Sequence, residues 1–68
     1  MLYRTVKTSE ELLNLIWEND NELDFNDGYA MTDWRLGKFV LFTPDQTIDQ
    51  GTVCDFNTAI KFFNKHNK

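Results

Sequence analysis

The sequence predicts an α+β fold in which two helices pack on one face of a small antiparallel sheet of three to four strands. Two segments, one near each end of the chain, place apolar residues at helical spacing. Between them, alternating and apolar runs are separated by short turns. Short turns join strands in antiparallel fashion, so the predicted order β-α-β-β-β-α gives one sheet that both helices cover from the same side.

The N-terminal segment predicts a short strand followed by a helix. Residues 2–7 alternate in the manner of a strand. Thr8 and Glu11 have the spacing of a capping box, in which the Thr hydroxyl and the Glu carboxylate satisfy the first free N–H groups of a helix. Helical spacing then relates the apolar residues Leu12, Leu13, Ile16 and Trp17. We therefore predict the first helix over residues 9–19.

The middle of the chain predicts two turns and a central strand. Asn26-Asp27-Gly28 indicates a hairpin with a type I′ turn, since Asp-Gly readily adopts positive φ angles. A second turn at residues 35–37 precedes residues 38–43, the most apolar run of the chain. This run predicts the central strand of the sheet. Pro44 ends it because proline has no N–H to donate.

The C-terminal third predicts a loop and the second helix. Residues 46–52 are polar and predict a loop with a short edge strand near Ile48. Asp55 is placed to cap the helix that follows. Its apolar face carries Phe56, Ala59, Ile60 and Phe63. Lysines in the last turn place positive charge at the negative end of the helix dipole.

Length and composition predict a single domain over residues 1–68 that depends on its apolar core. A chain of 68 residues buries only about 60% of its unfolded surface. Its single cysteine excludes an intrachain disulfide, and its single histidine excludes a His/Cys-rich zinc site. Six Phe, two Trp and two Tyr supply the apolar area instead.

The sequence predicts a cytoplasmic location without membrane attachment. No run of about 18 apolar residues is present, and the N-terminus lacks the apolar core of a signal peptide. A lone thiol is typical of a reducing compartment.

The residue types that perform catalysis occur in positions that do not favour it. Cys54 and His66 would lie roughly 18 Å apart along the second helix, too far for a nucleophile–base pair. The three glycines are isolated, so a phosphate-binding loop is not indicated. We expect neither enzyme activity nor a cofactor.

A calcium site receives little support from the sequence. Counted from Asp20, the sixth and twelfth positions of an EF-hand loop would be Phe25 and Met31, where the motif requires Gly and Glu. Asp24, Asn26 and Asp27 form an alternative ligand set of another kind. Turn formation accounts better for Asn26 and Asp27, so we expect no metal site.

Charge is distributed very unevenly along the chain. The segment between Thr8 and Trp34 contains eight carboxylates and neither lysine nor arginine, while the rest holds all seven cations and three acids. Such an asymmetry favours a cationic partner and argues against binding to a nucleic-acid backbone.

Four of these acids follow one another at every second position: Glu18, Asp20, Glu22 and Asp24. In an extended segment they would all point the same way, at intervals of about 6.6–6.8 Å. This row of charges would imitate one edge of a polynucleotide and fit the basic groove of a nucleic-acid-binding protein. The alternative is a solvated acidic surface that only keeps the protein soluble.

We therefore predict a non-enzymatic module that occupies the cationic surface of a partner protein. Its predicted charged contacts are Glu18, Asp20, Glu22, Asp24, Asp27 and Asp33. Trp34 is the predicted apolar anchor. In size, acidity and aromatic content the chain is similar to anti-CRISPR inhibitors and DNA mimics, a likeness that implies inhibition of a nucleic-acid-binding protein.

Two other functions are open on the sequence alone. A homodimer with a structural or regulatory role would bury the spare aromatic residues Trp17, Trp34 and Phe62. A nucleic-acid-binding protein would instead use the terminal cations Arg4, Lys7, Lys61, Lys65 and Lys68. The overall acidity, with a pI near 4.6, disfavours the second of these.

Overall fold

The computed structural model describes residues 1–35 and 37–68, with the backbone but not the side chain of Ile48. Leu36, in the predicted second turn, lies outside the described residues. The elements in chain order are α1 (Ser9–Glu18), β1 (Glu22–Asp24), β2 (Ala30–Asp33), β3 (Phe39–Phe42), a 3₁₀ turn (Ile48–Gln50), β4 (Thr52–Cys54) and α2 (Phe56–His66). The predicted α+β fold class is confirmed.

Both helices begin at the predicted caps. The Thr8 hydroxyl accepts from the N–H of Glu11 at 3.1 Å, and the Asp55 carboxylate accepts from the N–H of Thr58 at 3.2 Å. Helix α1 ends at Glu18 because Asp20 and Asn21 adopt positive φ angles of 59° and 67°. These two left-handed residues reverse the chain into β1.

The hairpin between β1 and β2 lies where the sequence predicts it, but its turn type is different. Gly28 has a φ of 89°, while Asn26 and Asp27 keep negative φ angles. The N–H of Gly28 donates to the carbonyl of Phe25 at 3.1 Å, and the N–H of Phe25 donates to the carbonyl of Tyr29 at 2.9 Å. The type I′ prediction is therefore wrong. A three-residue loop with one left-handed glycine closes the hairpin.

Within the described ranges, four strands form one antiparallel sheet in the order β1-β2-β3-β4. Strand β3 pairs on both sides, as the apolar run 38–43 predicts. The predicted edge strand near Ile48 is wrong in position. Ile48 begins the 3₁₀ turn, and the edge strand β4 follows it at Thr52.

The N-terminal strand predicted over residues 2–7 is absent from the described structure. Hydrogen bonds between side chains and backbone, and not the pairing of two strands, hold this segment in place. The Tyr3 hydroxyl donates to the carbonyl of Asp24 at 3.0 Å and accepts from its N–H at 2.9 Å. The Asn67 side chain accepts from the N–H of Tyr3 at 2.6 Å and donates to its carbonyl at 2.9 Å. The observed order is therefore α-β-β-β-β-α.

The main core lies between the sheet and the two helices, which pack on one face as predicted. Its fully buried members are Leu12, Ile16, Leu23, Met31, Phe39, Ala59 and Phe63. The residues come from both helices and three strands, so the core joins the helices to the sheet. Val40 and Phe42 are also buried, but they point away from this core.

Replacing Asn67 with alanine should lower the free energy of unfolding by about 1–3 kcal/mol, because the buried amide makes two hydrogen bonds to the backbone of Tyr3. Urea denaturation measures this change. Asn64→Ala is the matched control, since Asn64 is exposed in the last turn of α2, three residues before Asn67. Equal effects of the two substitutions would contradict the proposed clamp on the N-terminal segment.

Candidate partner-binding face

The strand register places a distinct set of residues on the side of the sheet that faces away from the helices. Cross-strand partners share a face, and alternate residues of a strand point the same way. We define the outer face as Glu22, Asp24, Ala30, Thr32, Val40, Phe42 and Val53. It combines two carboxylates on β1 with apolar side chains on β3 and β4.

A groove of about 630 Å³ lies at the end of this face nearest Trp34. Its lining residues are Thr32, Asp33, Trp34, Val40, Phe42, Asp49, Gly51 and Val53. Val40 and Phe42 are only 5% and 6% exposed, whereas Trp34 and Val53 are 54% and 51% exposed. The groove therefore combines buried and accessible apolar side chains.

Gly51 allows the 3₁₀ turn to approach the sheet closely at this groove. A Cβ atom on Gly51 would overlap Cγ1 of Val40 and lie 2.5 Å from Cε1 of Phe42. The side chain of any other residue would clash there. The loop can therefore cover Val40 and Phe42 only if this position is glycine. The sequence alone gave no reason to include Gly51, Asp49 or Val53 in the site.

Acidic residues accompany the apolar ones. When Glu22 is protonated it can donate a hydrogen bond to Asp24, and this bond, together with burial and the charge of Asp24, raises the pKa of Glu22 above its usual range. In the groove, the Thr47 hydroxyl donates to Oδ1 of Asp49 at 2.7 Å and lowers the pKa of that carboxyl. The lowered pKa keeps Asp49 in its charged form. On β1, the charged forms of Glu22 and Asp24 repel each other.

A smaller depression of about 160 Å³ extends the groove region toward the acidic strand. It is lined by Glu22, Gly28, Ala30, Phe42, Thr43, Pro44 and Gln46. Phe42 borders both depressions. Phe42 thus lies between the groove beside Trp34 and the depression that Glu22 lines.

The predicted row of four parallel acids does not form, because its segment is not extended throughout. Glu18 belongs to α1, and Asp20 lies in the left-handed turn that follows. Glu22 and Asp24 alone keep the predicted common direction, since both belong to β1. The end of the helix and the reversal of the chain, and not the pattern of charges, therefore determine which way these side chains point.

Two further predicted contact residues bind side chains of the protein itself. Glu18 accepts from the Arg4 guanidinium at 2.7 Å and 3.1 Å, and these bonds lower the pKa of Glu18. Asp27 lies 2.5 Å from Nδ1 of His66. Asp33 and Trp34, in contrast, both line the groove.

His66 lies in an aromatic environment at the end of α2. Its ring stacks on Tyr29 with centroids 4.0 Å apart and contacts Phe62 at 4.5 Å. The residue is 8% exposed. Together with the contact to Asp27, this packing gives His66 a structural role in joining α2 to the β1–β2 hairpin.

Several other features bear on function. Within residues 1–35 and 37–68, no group of three or more His, Cys, Asp and Glu side chains is arranged to hold a metal ion. Neither of the two α-helices described here has the length and apolarity needed to cross a membrane.

Comparison with protein-family models, with curated proteins and with solved structures gives no match.

Replacing Glu22 with glutamine should raise the free energy of unfolding at pH 7 by about 0.5 kcal/mol or less, since it removes a like-charge contact that solvent partly screens. The pKa of Glu22 is raised in the folded state, so the gain in stability from the substitution is present above that pKa. It should vanish below the unfolded value of about 4.3. Denaturation at pH 7 and pH 3 tests the prediction.

Glu10→Gln is the matched control for Glu22→Gln. Glu10 lies in the first turn of α1, where negative charge is favourable, so its neutralisation should lower stability at pH 7. A loss of stability in both variants would contradict the repulsion between Glu22 and Asp24.

The Asp27→Asn variant should respond less than the wild-type protein to acid. Burial alone would raise the pKa of Asp27, but hydrogen bonds from His66 and from the N–H of Tyr29 leave it below its usual value. A lowered pKa stabilises the fold above the unfolded value of about 3.9, and this stability is lost as the pH falls through the folded value. Urea denaturation from pH 7 to pH 2 should show the two proteins converging, and a constant difference would contradict the role of Asp27.

Proposed function

We propose that the protein is a non-enzymatic binding module whose outer face occupies a cationic surface of a partner protein. One observation carries the proposal. The Glu22–Asp24 pair and the groove beside Trp34 lie on the same side of the sheet, which the helices leave uncovered. Charge and accessible apolar area in one surface are what a specific protein interface requires.

The electrostatics support a cationic partner. Crowding of Glu22 and Asp24 raises the pKa of Glu22, so a neighbouring lysine or arginine of a partner would relieve their repulsion. Asp49 adds a carboxylate that its own hydrogen bonds keep charged. Surfaces of this kind speed the association with oppositely charged proteins.

The contact residues of the proposal are fewer than the sequence predicts. Glu18 and Asp27 have partners within the protein, and Asp20 lies in the turn before β1. We therefore assign the main contacts to Glu22, Asp24 and Trp34. Asp33 lines the groove, but its cross-strand partner Phe39 belongs to the core, so Asp33 is not part of the outer face.

We propose no catalytic role, because the single cysteine and the single histidine lie at opposite ends of α2. Cys54 precedes α2, while His66 ends that helix and contacts Asp27. Burial, followed by the charge of Asp55, also raises the pKa of the Cys54 thiol, which disfavours the reactive thiolate.

In its most specific form, the proposal assigns the partner to the nucleic-acid-binding proteins. A protein that covers such a partner's basic surface would exclude the nucleic acid and act as an inhibitor. Viral anti-CRISPR proteins and DNA mimics are inhibitors of this general kind, and the cytoplasm would be the place of action. The acidic outer face and the net charge of −4 support this assignment.

A homodimer is the second candidate function. Trp17 and Trp34 are each 54% exposed, which leaves apolar area that a second copy could cover. Sedimentation at micromolar concentration distinguishes the two candidates, because a stable dimer that is insensitive to salt supports the homodimer.

Affinity capture from the native cell tests the proposed function. A captured partner should dissociate as salt rises from about 50 to 500 mM, because screening weakens contacts between exposed charges. The double variant E22Q/D24N should bind that partner at least about tenfold more weakly, as expected for charge-assisted contacts. Equal affinity at both salt concentrations would contradict the proposal.

The control for this experiment removes the same number of charges elsewhere. The E10Q/E11Q variant neutralises two exposed acids on α1, which packs on the opposite side of the sheet. Its affinity should stay within about threefold of the wild-type value if position and not total charge matters. Matching losses in both double variants would show that net charge alone drives binding.

A further inference from the structure

We propose that the groove receives a large apolar side chain from a segment of the partner that is rich in lysine or arginine. This inference rests on the proposed function and specifies the part of the partner that is recognised. It assigns the groove residues a role in anchoring, while the acids of the outer face provide attraction and orientation.

The shape of the groove suits part of a polypeptide chain. Its volume of about 630 Å³ lies in the range of roughly 300–1,000 Å³ that is typical of binding pockets. Val40 and Phe42 are buried and fixed by the sheet, so its floor is preformed. Trp34 and Val53 retain about half of their exposure and would lose it to an occupant.

The charge of the groove selects the residues that flank the apolar side chain. Asp33 and Asp49 are among the lining residues, and none of the described lining residues is positively charged. Glu22 and Asp24 continue the negative charge across the outer face. Basic flanks are therefore complementary, whereas a second copy would bring its own acidic outer face into contact with this one.

Arg35 indicates how a cation can approach the groove. Its guanidinium carbon lies 5.6 Å from the centroid of the Trp34 ring, within cation–π range. Trp34 thus presents a ring that already accepts a guanidinium next to Asp33. Because Arg35 would compete with a cation of the partner, Arg35→Gln should tighten binding by about two- to threefold.

Three fluorescein-labelled hexapeptides test the inference by fluorescence anisotropy: alternating Lys and Leu, alternating Lys and Ser, and alternating Glu and Leu. The Lys/Leu peptide should bind at least about tenfold more tightly than the Lys/Ser peptide, because only the former can fill the groove. The Glu/Leu peptide should show no binding, because its charge matches that of the outer face.

Two tryptophan substitutions provide a matched pair of variants. Trp34→Ala should weaken binding of the Lys/Leu peptide at least about fivefold, while Trp17→Ala should leave it unchanged. Both rings are 54% exposed, so loss of aromatic area alone cannot explain a difference. Val53→Ser gives a second groove variant should Trp34→Ala unfold, and it should also weaken binding.

The possible outcomes separate the two proposals. Equal affinity for the Lys/Leu and Lys/Ser peptides, or equal effects of Trp34→Ala and Trp17→Ala, would overturn the proposed role of the groove. Neither result would contradict the proposed role of the acids on the outer face. Binding of neither lysine peptide at about 50 mM salt, where screening is weak, would overturn the proposed function as well. Tight binding of the Glu/Leu peptide would overturn the requirement for basic flanks.

Discussion

The two-sided burial of β3 is the constraint on which the rest of the structure depends. Phe39 joins the core beneath the helices, while Val40 and Phe42 are buried on the opposite side of the sheet. The helices of this α+β fold cover one face of the sheet, so the burial of Val40 and Phe42 on the second face requires another element. The loop before β4 does so, and Gly51 makes its close approach possible. The groove exists because this cover is incomplete.

The acidic residues of the structure fall into two groups. Some bind other residues of the protein, and others remain available to a partner. Glu18 binds Arg4, and Asp27 binds His66, so each helps to fix the position of a terminal segment. Glu22 and Asp24 instead lie side by side on one strand and raise the free energy of the folded state by their repulsion. Unfavourable contacts of this kind in a surface are often associated with binding, since a partner can remove them.

Local signals in the sequence predicted the helices well and the first strand poorly. Thr8 and Asp55 cap α1 and α2 because a cap depends on residues a few positions apart. Residues 2–7 have the alternation of a strand, yet Tyr3 bonds to Asp24 and Asn67, which are distant in sequence. In each of these contacts a side chain, the Tyr3 hydroxyl or the Asn67 amide, bonds to the backbone of the other residue in place of a second strand. The turn at Gly28 was located correctly, but the backbone closed it with a three-residue loop.

The sequence by itself determined the fold class, both helix starts, the central strand and the acidity of the N-terminal half, because each follows from local spacing and composition. For the candidate site, it predicted contacts at Glu22, Asp24, Asp33 and Trp34, among other acids. Only the tertiary structure decided which acids remain available and that Val40, Phe42, Gly51 and Val53 form a groove beside them. The physical reason is that a groove and an ion pair both depend on distances between residues far apart in the chain, which local pattern does not specify.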